Sequence, residues 1–176
     1  MSESEWMQRL LREFEGALLR QACRYVPRQA ACELVQEAFL RLWQESREHG
    51  EEKFRGREKE WLFCVCRNMA IDALKKDGKL NHGDEGFESF ESSDERIDQK
   101  MEREADEKSQ ESELMKRMKL LTKKQEEVVR LKFVEGFSYK EISNVTGHSV
   151  SHVGVLIHEA MKILKAQKGE NTGGRQ

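Results

Sequence analysis

Apolar residues recur at helical spacing through most of the chain, and the period changes register at a few defined points. Residues 4–25 carry Trp6, Leu10, Phe14, Leu18 and Tyr25 on one side, which predicts an amphipathic helix. Pro27 marks a turn or a first helical position. Residues 29–46 then resume the period, with Ala31, Val35, Ala38, Phe39 and Leu42 on the buried arc and Trp43 at its edge. A charged stretch from Ser46 to Arg57, containing Gly50 and Gly56, reads as a loop. The third helix is predicted over 58–76, apolar along Leu62, Cys66, Met69, Ala70 and Ala73, and closed by Asp77-Gly78.

From residue 77 to 113 the pattern lapses. Only Leu80, Phe87, Phe90, Ile97 and Met101 interrupt a run of Asp, Glu, Ser and Gly. So little apolar surface does not offset the entropy of ordering, which predicts a flexible linker whose second half can form a frayed polar helix. Helical punctuation returns at Thr122-Lys-Lys-Gln125, a capping box for a helix through Val134 that Gly136 ends. Ser138-Tyr-Lys-Glu141 is a second capping box, opening a short helix with Ile142 and Val145 inside. Thr146-Gly147-His148 reads as a tight turn, and Ser149 as the cap of a final helix to about Gln167. Two helices joined by a glycine turn and preceded by a supporting helix form the helix-turn-helix pattern. On the last helix the predicted core arc is Val150, Val153, Ile157, Ala160 and Leu164.

The fold expected is therefore all-α, with two small helical domains joined by an acidic linker. The boundaries are 1–76, 77–113 and 114–168, with a disordered tail at 169–176. Charge sharpens this division. The net charge of −2 over 176 residues hides +1 for residues 1–76, −9 for 77–113 and +6 for 114–176. A basic unit carried on an acidic strip points to polyanion binding by the basic end. The longest apolar run, Trp61–Cys66, is far short of the roughly 18 residues of a membrane span. The acidic start, Met1–Trp6, has no apolar signal core, so a cytoplasmic protein is expected. Cys23, Cys32, Cys64 and Cys66 form no C-x-x-C pair, and none is spaced with a histidine as ligands are. They read as reduced thiols packing as small hydrophobes, with no metal site and no cofactor. No glycine-rich phosphate loop or nucleophile–base pair stands out, so an enzyme is not expected.

Three outward faces carry candidate chemistry. On the last helix, Ser151, Val155, His158 and Lys162 lie opposite the core arc, flanked by His152 and Gly154. Small hydrogen-bonding groups and one apolar contact suit base edges in a major groove. Lys123, Lys124, Lys140, Lys162, Lys165 and Lys168 suit phosphates. On the second helix, Glu33, Gln36, Glu37, Leu40, Arg41 and Gln44 form a mixed-charge face with one leucine, consistent with docking on another helical surface or with a solvated face. On the third helix, Trp61, Val65, Asn68, Asp72, Lys75 and Lys76 share a stripe. Stacking, amide and basic groups there suit single-stranded nucleic acid. Spacing alone favours a plainer reading of the same stripe, a core Trp61 with Asp72 paired to Lys75 or Lys76.

The order of segments decides among these readings. Glu33-Leu-Val-Gln-Glu-Ala-Phe-Leu-Arg-Leu-Trp43 resembles region 2.2 of bacterial RNA polymerase sigma factors, especially the extracytoplasmic-function group. The segment Trp61–Lys76 is similar to regions 2.3–2.4 of that group, and Leu121–Ile142 to its region 4. The resemblance implies a sigma2-like bundle followed by a sigma4-like helix-turn-helix. It implies that Gln36, Glu37, Leu40, Arg41, Trp43 and Gln44 dock on the clamp helices of core RNA polymerase. Promoter DNA at the −10 element would meet Trp61, Asn68, Asp72, Lys75 and Lys76, and the Ser46–Arg57 loop, whose Phe54, Arg55 and Arg57 suit capture of an extruded base. The −35 element would meet Lys140, Ser149, Ser151, His152, Val155, His158 and Lys162. The acidic linker would thread a basic polymerase channel. Members of the group are commonly held inactive by an anti-sigma factor, which adds one to the implied partners.

The family often carries basic residues where Gly154, Leu156 and Glu159 stand, which implies weak −35 binding in the absence of polymerase. The function expected is promoter selection by core polymerase. The alternatives are a stand-alone helix-turn-helix regulator and a helical adaptor that binds only protein.

Overall fold

The computed structural model describes residues 3–78 and 116–166. The expected linker and tail lie outside the described residues apart from the linker's first two positions, and so does Lys168. The chain divides into two compact units.

In the first unit, α1 (Glu3–Ala22), α2 (Arg28–His49) and α3 (Glu58–Lys76) pack against one another as a three-helix bundle. Its centre is apolar and fully buried: Leu10 and Leu18 from α1, Ala31, Ala38 and Leu42 from α2, and Leu62, Phe63, Cys66 and Ala70 from α3. Helix α1 stops at Ala22, earlier than its period suggests. Pro27 disfavours helical backbone at the residue before it, and the chain instead turns, with Tyr25 N–H and Val26 N–H both donating to Ala22 O. Tyr25 still reaches the core, which is why it keeps the helical spacing outside the helix.

Pro27 stands just before α2, with φ −57° and ψ 153°. Helix α2 runs three residues past its expected end, because the buried Ser46 continues the helix and Gly50 is the first residue to leave it, at φ 82° and ψ 144°. That backbone region is essentially open to glycine alone. The loop is accordingly shorter than expected, residues 50–57, and includes a single 3-10 turn at Glu51–Lys53.

In the second unit, α4 (Lys123–Phe133), α5 (Tyr139–Thr146) and α6 (Val150–Ala166) form the helix-turn-helix with its supporting helix. Both expected capping boxes are present: Thr122 exchanges hydrogen bonds with Gln125, and Ser138 with Glu141. Helix α4 packs on α6, with Leu121, Val129 and Ala160 buried together and Met118, Ile163 and Leu164 against them. Gln125 Nε2 adds a polar tie between the two helices, donating to Glu159 Oε2 at 3.3 Å. One core expectation is corrected. Val150 is 47% exposed, and Leu156 is buried in its stead. As the first residue of α6, Val150 lies beyond the end of the packed row, which starts at Val153 and takes in Leu156 and Ile157.

All four thiols are free. Burial, and after it the neighbouring Cys23 thiol, pushes the Cys66 thiol from 9.0 up to about 12. A thiol held neutral in the fold but ionisable once unfolded contributes stability below pH 9, and that stability is lost as pH rises from 9 toward 12. Chemical unfolding of the chain is therefore expected to become easier above pH 9. Cys66 is expected to resist alkylation at pH 8 until the bundle unfolds, as mass spectrometry of trapped thiols reports.

Two glycines of the helix-turn-helix have opposite roles. Gly147 ends α5 in the left-handed region at φ 77°, whereas Gly154 is helical and an added Cβ meets only the Tyr139 ring at 3.7 Å, an ordinary contact. Gly154→Ala is expected to stabilise the second unit by up to about 1 kcal/mol, and Gly147→Ala to destabilise it by about 1 kcal/mol. Thermal unfolding followed by circular dichroism checks both signs.

Candidate nucleic-acid and protein-docking surfaces

Core burial fixes how each helix of the first unit is rotated, and so what it presents outward. With Val35, Ala38, Phe39 and Leu42 turned inward, α2 exposes Glu33, Gln36, Leu40, Arg41, Trp43 and Gln44, with Glu37 half-buried. Leu40 is 49% exposed and Trp43 40%. Arg41 Nε donates to Glu37 Oε1 at 2.7 Å, and the Arg47 guanidinium lies 5.5 Å from the centre of the Trp43 ring. The Arg47–Trp43 contact escaped the sequence reading although its i, i+4 spacing was visible. Ser4, Met7 and Gln8 of α1 line a shallow groove with Trp43. All six expected docking residues thus lie on one helix. They combine two large apolar groups with charges whose exposed pairing is worth at most about 1 kcal/mol and is readily exchanged for a partner's.

The loop 50–57 departs from expectation at one residue. Phe54, expected among the groups available to an extruded base, is only 3% exposed. It packs edge-on to Trp61, with ring centres 5.6 Å apart and planes at 76°. The position is therefore an anchor, since a ring of that size is held in the core by the area it buries. Arg55 and Arg57 do stand in solvent, Arg55 in an exposed ion pair with Glu52 at 2.8 Å and Arg57 at 3.7 Å from the carboxylate of Glu60, whose side chain is mostly buried.

Trp61 is half-buried by the same contact, whereas Asn68, Asp72, Lys75 and Lys76 are exposed along α3. Asp72 pairs with Lys75 at 3.8 Å, as the plainer reading of the stripe foresaw, and Asn68 Nδ2 lies 3.7 Å from Cys64 Sγ. Two further residues of this region were missed. Trp6 Nε1–H donates to Glu58 Oε1 at 3.4 Å, and Arg9 approaches the same oxygen at 3.8 Å. A contact between residues 52 positions apart has no local signal in the sequence.

In the second unit every expected contact residue is exposed: Lys140, Ser149, Ser151, His152, Val155, His158 and Lys162. Ser149 Oγ accepts from His152 N–H at 3.2 Å, so this hydroxyl caps α6 and keeps its own proton and one lone pair to offer. The turn before it is held by Ser143 Oγ, which donates to His148 O at 2.6 Å. The His148 ring lies edge-on to His152, 5.0 Å between centres. Val155, 51% exposed, is the apolar point of the face. Of the other lysines expected at phosphates, Lys123 and Lys124 are half-buried and Lys165 is exposed.

Two of the three departures from the family pattern, Leu156 and Glu159, acquire a structural meaning here. Leu156 is buried and Glu159 points its carboxylate at Gln125, so both serve the join between α4 and α6. Tyr139, which sequence reasoning did not single out, lays its ring beside Gly154 with the Lys132 ammonium 5.3 Å from its centre.

Comparison with known proteins bears on both units. Residues 10–80 match the family described as Sigma-70 region 2, and residues 111–164 match Sigma-70, region 4. The chain is 27% identical over 136 residues to the ECF RNA polymerase sigma factor SigX of Bacillus subtilis (strain 168), covering 76% of this chain and 68% of that protein. A solved structure of the RsbN–BldN complex is similar over 94% of this chain and 93% of its own, at 20% identity and a TM-score of 0.33. With the two sigma modules in order, one on each compact unit, the chain belongs to the sigma-70 family of RNA polymerase sigma factors, of the extracytoplasmic-function type, and directs core polymerase to promoters.

Proposed function

We propose a division of that work among the three surfaces. Residues 1–76 dock core polymerase through Gln36, Glu37, Leu40, Arg41, Trp43 and Gln44 of α2. The same unit meets the −10 element through Arg55, Arg57, Trp61, Asn68, Asp72, Lys75 and Lys76. Residues 114–168 read the −35 element through α6, with Ser151, His152, Val155 and His158 toward base edges and Lys140 and Lys162 toward phosphates. The segment 77–113, at −9, joins them and suits a basic channel of the polymerase. On this reading the protein acts in the cytoplasm as a binding factor, with no catalytic residue or cofactor of its own.

The observation that carries the docking assignment is the outward pair Leu40 and Trp43, two large apolar side chains on a helix whose core face is already satisfied. Among the described residues no helix is long and apolar enough to cross a membrane, so a bilayer-spanning role for that helix does not compete with a protein partner. A helical partner of complementary charge covers this face well: apolar at the centre, polar at the rim.

Leu40→Asp combined with Arg41→Glu is expected to abolish co-purification with core polymerase at unchanged helicity, and retained binding removes the docking face. His152→Ala or Ser151→Ala is expected to cost about 1–3 kcal/mol of discrimination at one −35 base pair without altering strand opening at −10. Loss of permanganate reactivity at −10 in those variants contradicts the assignment of the two elements to separate units. Lys162→Ala is expected to weaken −35 binding equally across sequences and to reduce the slope of log K against log salt by about 1. Titrations of the holoenzyme at several salt concentrations read that slope.

A further inference from the structure

The loop 50–57 is short, charged and exposed at its tip, yet it is bound at both ends to the bundle. Arg55, Gly56 and Arg57 stand in solvent. The residues that bracket them, Phe54 and Glu58, are 3% and 8% exposed. Phe54 is seated on Trp61, a turn into α3. Glu58, the first residue of α3, places its carboxyl group at a helix N-terminus, where the backbone dipole favours an acidic side chain. Its buried Oε1 receives the Trp6 indole N–H and faces Arg9, both from the first turns of α1. Backbone bonds complete the frame: Gly50 N–H to Ser46 O, Phe54 N–H to Glu51 O, and Arg57 N–H to Phe54 O at 2.8 Å. The result is a three-residue tip held at two fixed points, one supplied by α3 and the other by α1.

We propose that Glu58, braced by Trp6 and Arg9, is a positioning residue for strand capture: α1 holds the Arg55–Arg57 tip in the geometry that receives single-stranded −10 DNA. This rests on the reading of the loop as a −10 surface. Glu58 touches no DNA itself. It acts by fixing where Arg57 enters α3, and through it the spread of the two guanidinium groups. The ion pair of Arg55 with Glu52 is exposed on both sides and exchanges readily for a phosphate, and the exposed Arg57 guanidinium makes only a long 3.7 Å contact with the mostly buried Glu60 carboxylate. The loop's aim therefore comes from its buried ends and not from its surface charges. A tip with one end released keeps its charge but loses its aim, so base discrimination falls further than general affinity for DNA.

The test uses holoenzyme assembled from core polymerase and the full chain, and a single-stranded oligonucleotide carrying the −10 sequence that wild-type holoenzyme selects from a random pool. Glu58→Leu removes the acceptor, Trp6→Phe removes the donor, and Glu58→Gln keeps an acceptor for the indole. Arg9→Met, at an exposed position, perturbs the brace without threatening the core. Glu58→Leu and Trp6→Phe are each expected to bind the selected oligonucleotide about tenfold more weakly and to flatten its base preference. The double variant is expected to be no worse than either single one, because both break one interaction. Glu58→Gln should stay within about twofold of wild type, and Arg9→Met should lose about threefold. Polymerase affinity should be unchanged throughout.

Wild-type preference in Glu58→Leu and Trp6→Phe, together with a loss in Arg55→Ala, overturns the brace and leaves the loop reading standing. Wild-type binding by Arg55→Ala and Arg57→Ala overturns the loop reading itself. Parallel losses of oligonucleotide and polymerase binding mean a role in folding alone, and overturn the proposal.

Discussion

The rotation of three helices about their own axes is the constraint from which the first unit's surfaces follow. Burying a leucine or phenylalanine contributes about 1.5–3 kcal/mol, and α1, α2 and α3 each bring several such residues to one centre. Exposed ion pairs such as Arg41–Glu37 contribute at most about 1 kcal/mol and cannot turn a helix against that. Once Leu42 and Ala38 face inward, Leu40 and Trp43 must face outward. Once Leu62, Cys66 and Ala70 face inward, Asn68 and Asp72 line the far side of α3. The candidate faces are what the core leaves over.

In the second unit local chemistry does more of the work. Two capping boxes and one left-handed glycine set the start of α4, the start of α5 and the turn into α6. Each of these is a contact within five residues, so the sequence displays it directly. The start of α6 is likewise marked by Ser149, whose hydroxyl is committed to the cap as the price of a defined first turn. The outward face that follows is small and hydrogen-bonding, with one valine, and its cations stand at the edges, at Lys140 and Lys162. That arrangement separates groups suited to bases from groups suited to phosphates.

Much of this was legible in the sequence because it depends on helical period and on capping: the all-α class, the bounds of α3, both capping boxes, and the outward residues of α2 and α6. The misses share a cause. Tyr25 keeps the spacing of α1 after the backbone has turned, since a long side chain reaches the core from a turn as well as from a helix. Val150 fits the apolar arc of α6 but sits three residues before the packing begins at Val153. Phe54 lay in a charged stretch and was read as available, whereas its partner Trp61 lies seven residues on, across a turn that periodicity does not describe. Trp6 with Glu58, and Gln125 with Glu159, join distant parts of each unit, and no pattern within one window of sequence contains them.

On the proposed division of work, two helical units present different faces to two elements of one promoter. Hydroxyl-radical footprinting of the holoenzyme on a promoter it selects tests this most directly. Two protected patches are expected, at −35 and at −10, with thymines becoming permanganate-reactive in the −10 patch alone. A single continuous patch, or the same two patches from the protein without polymerase, contradicts it.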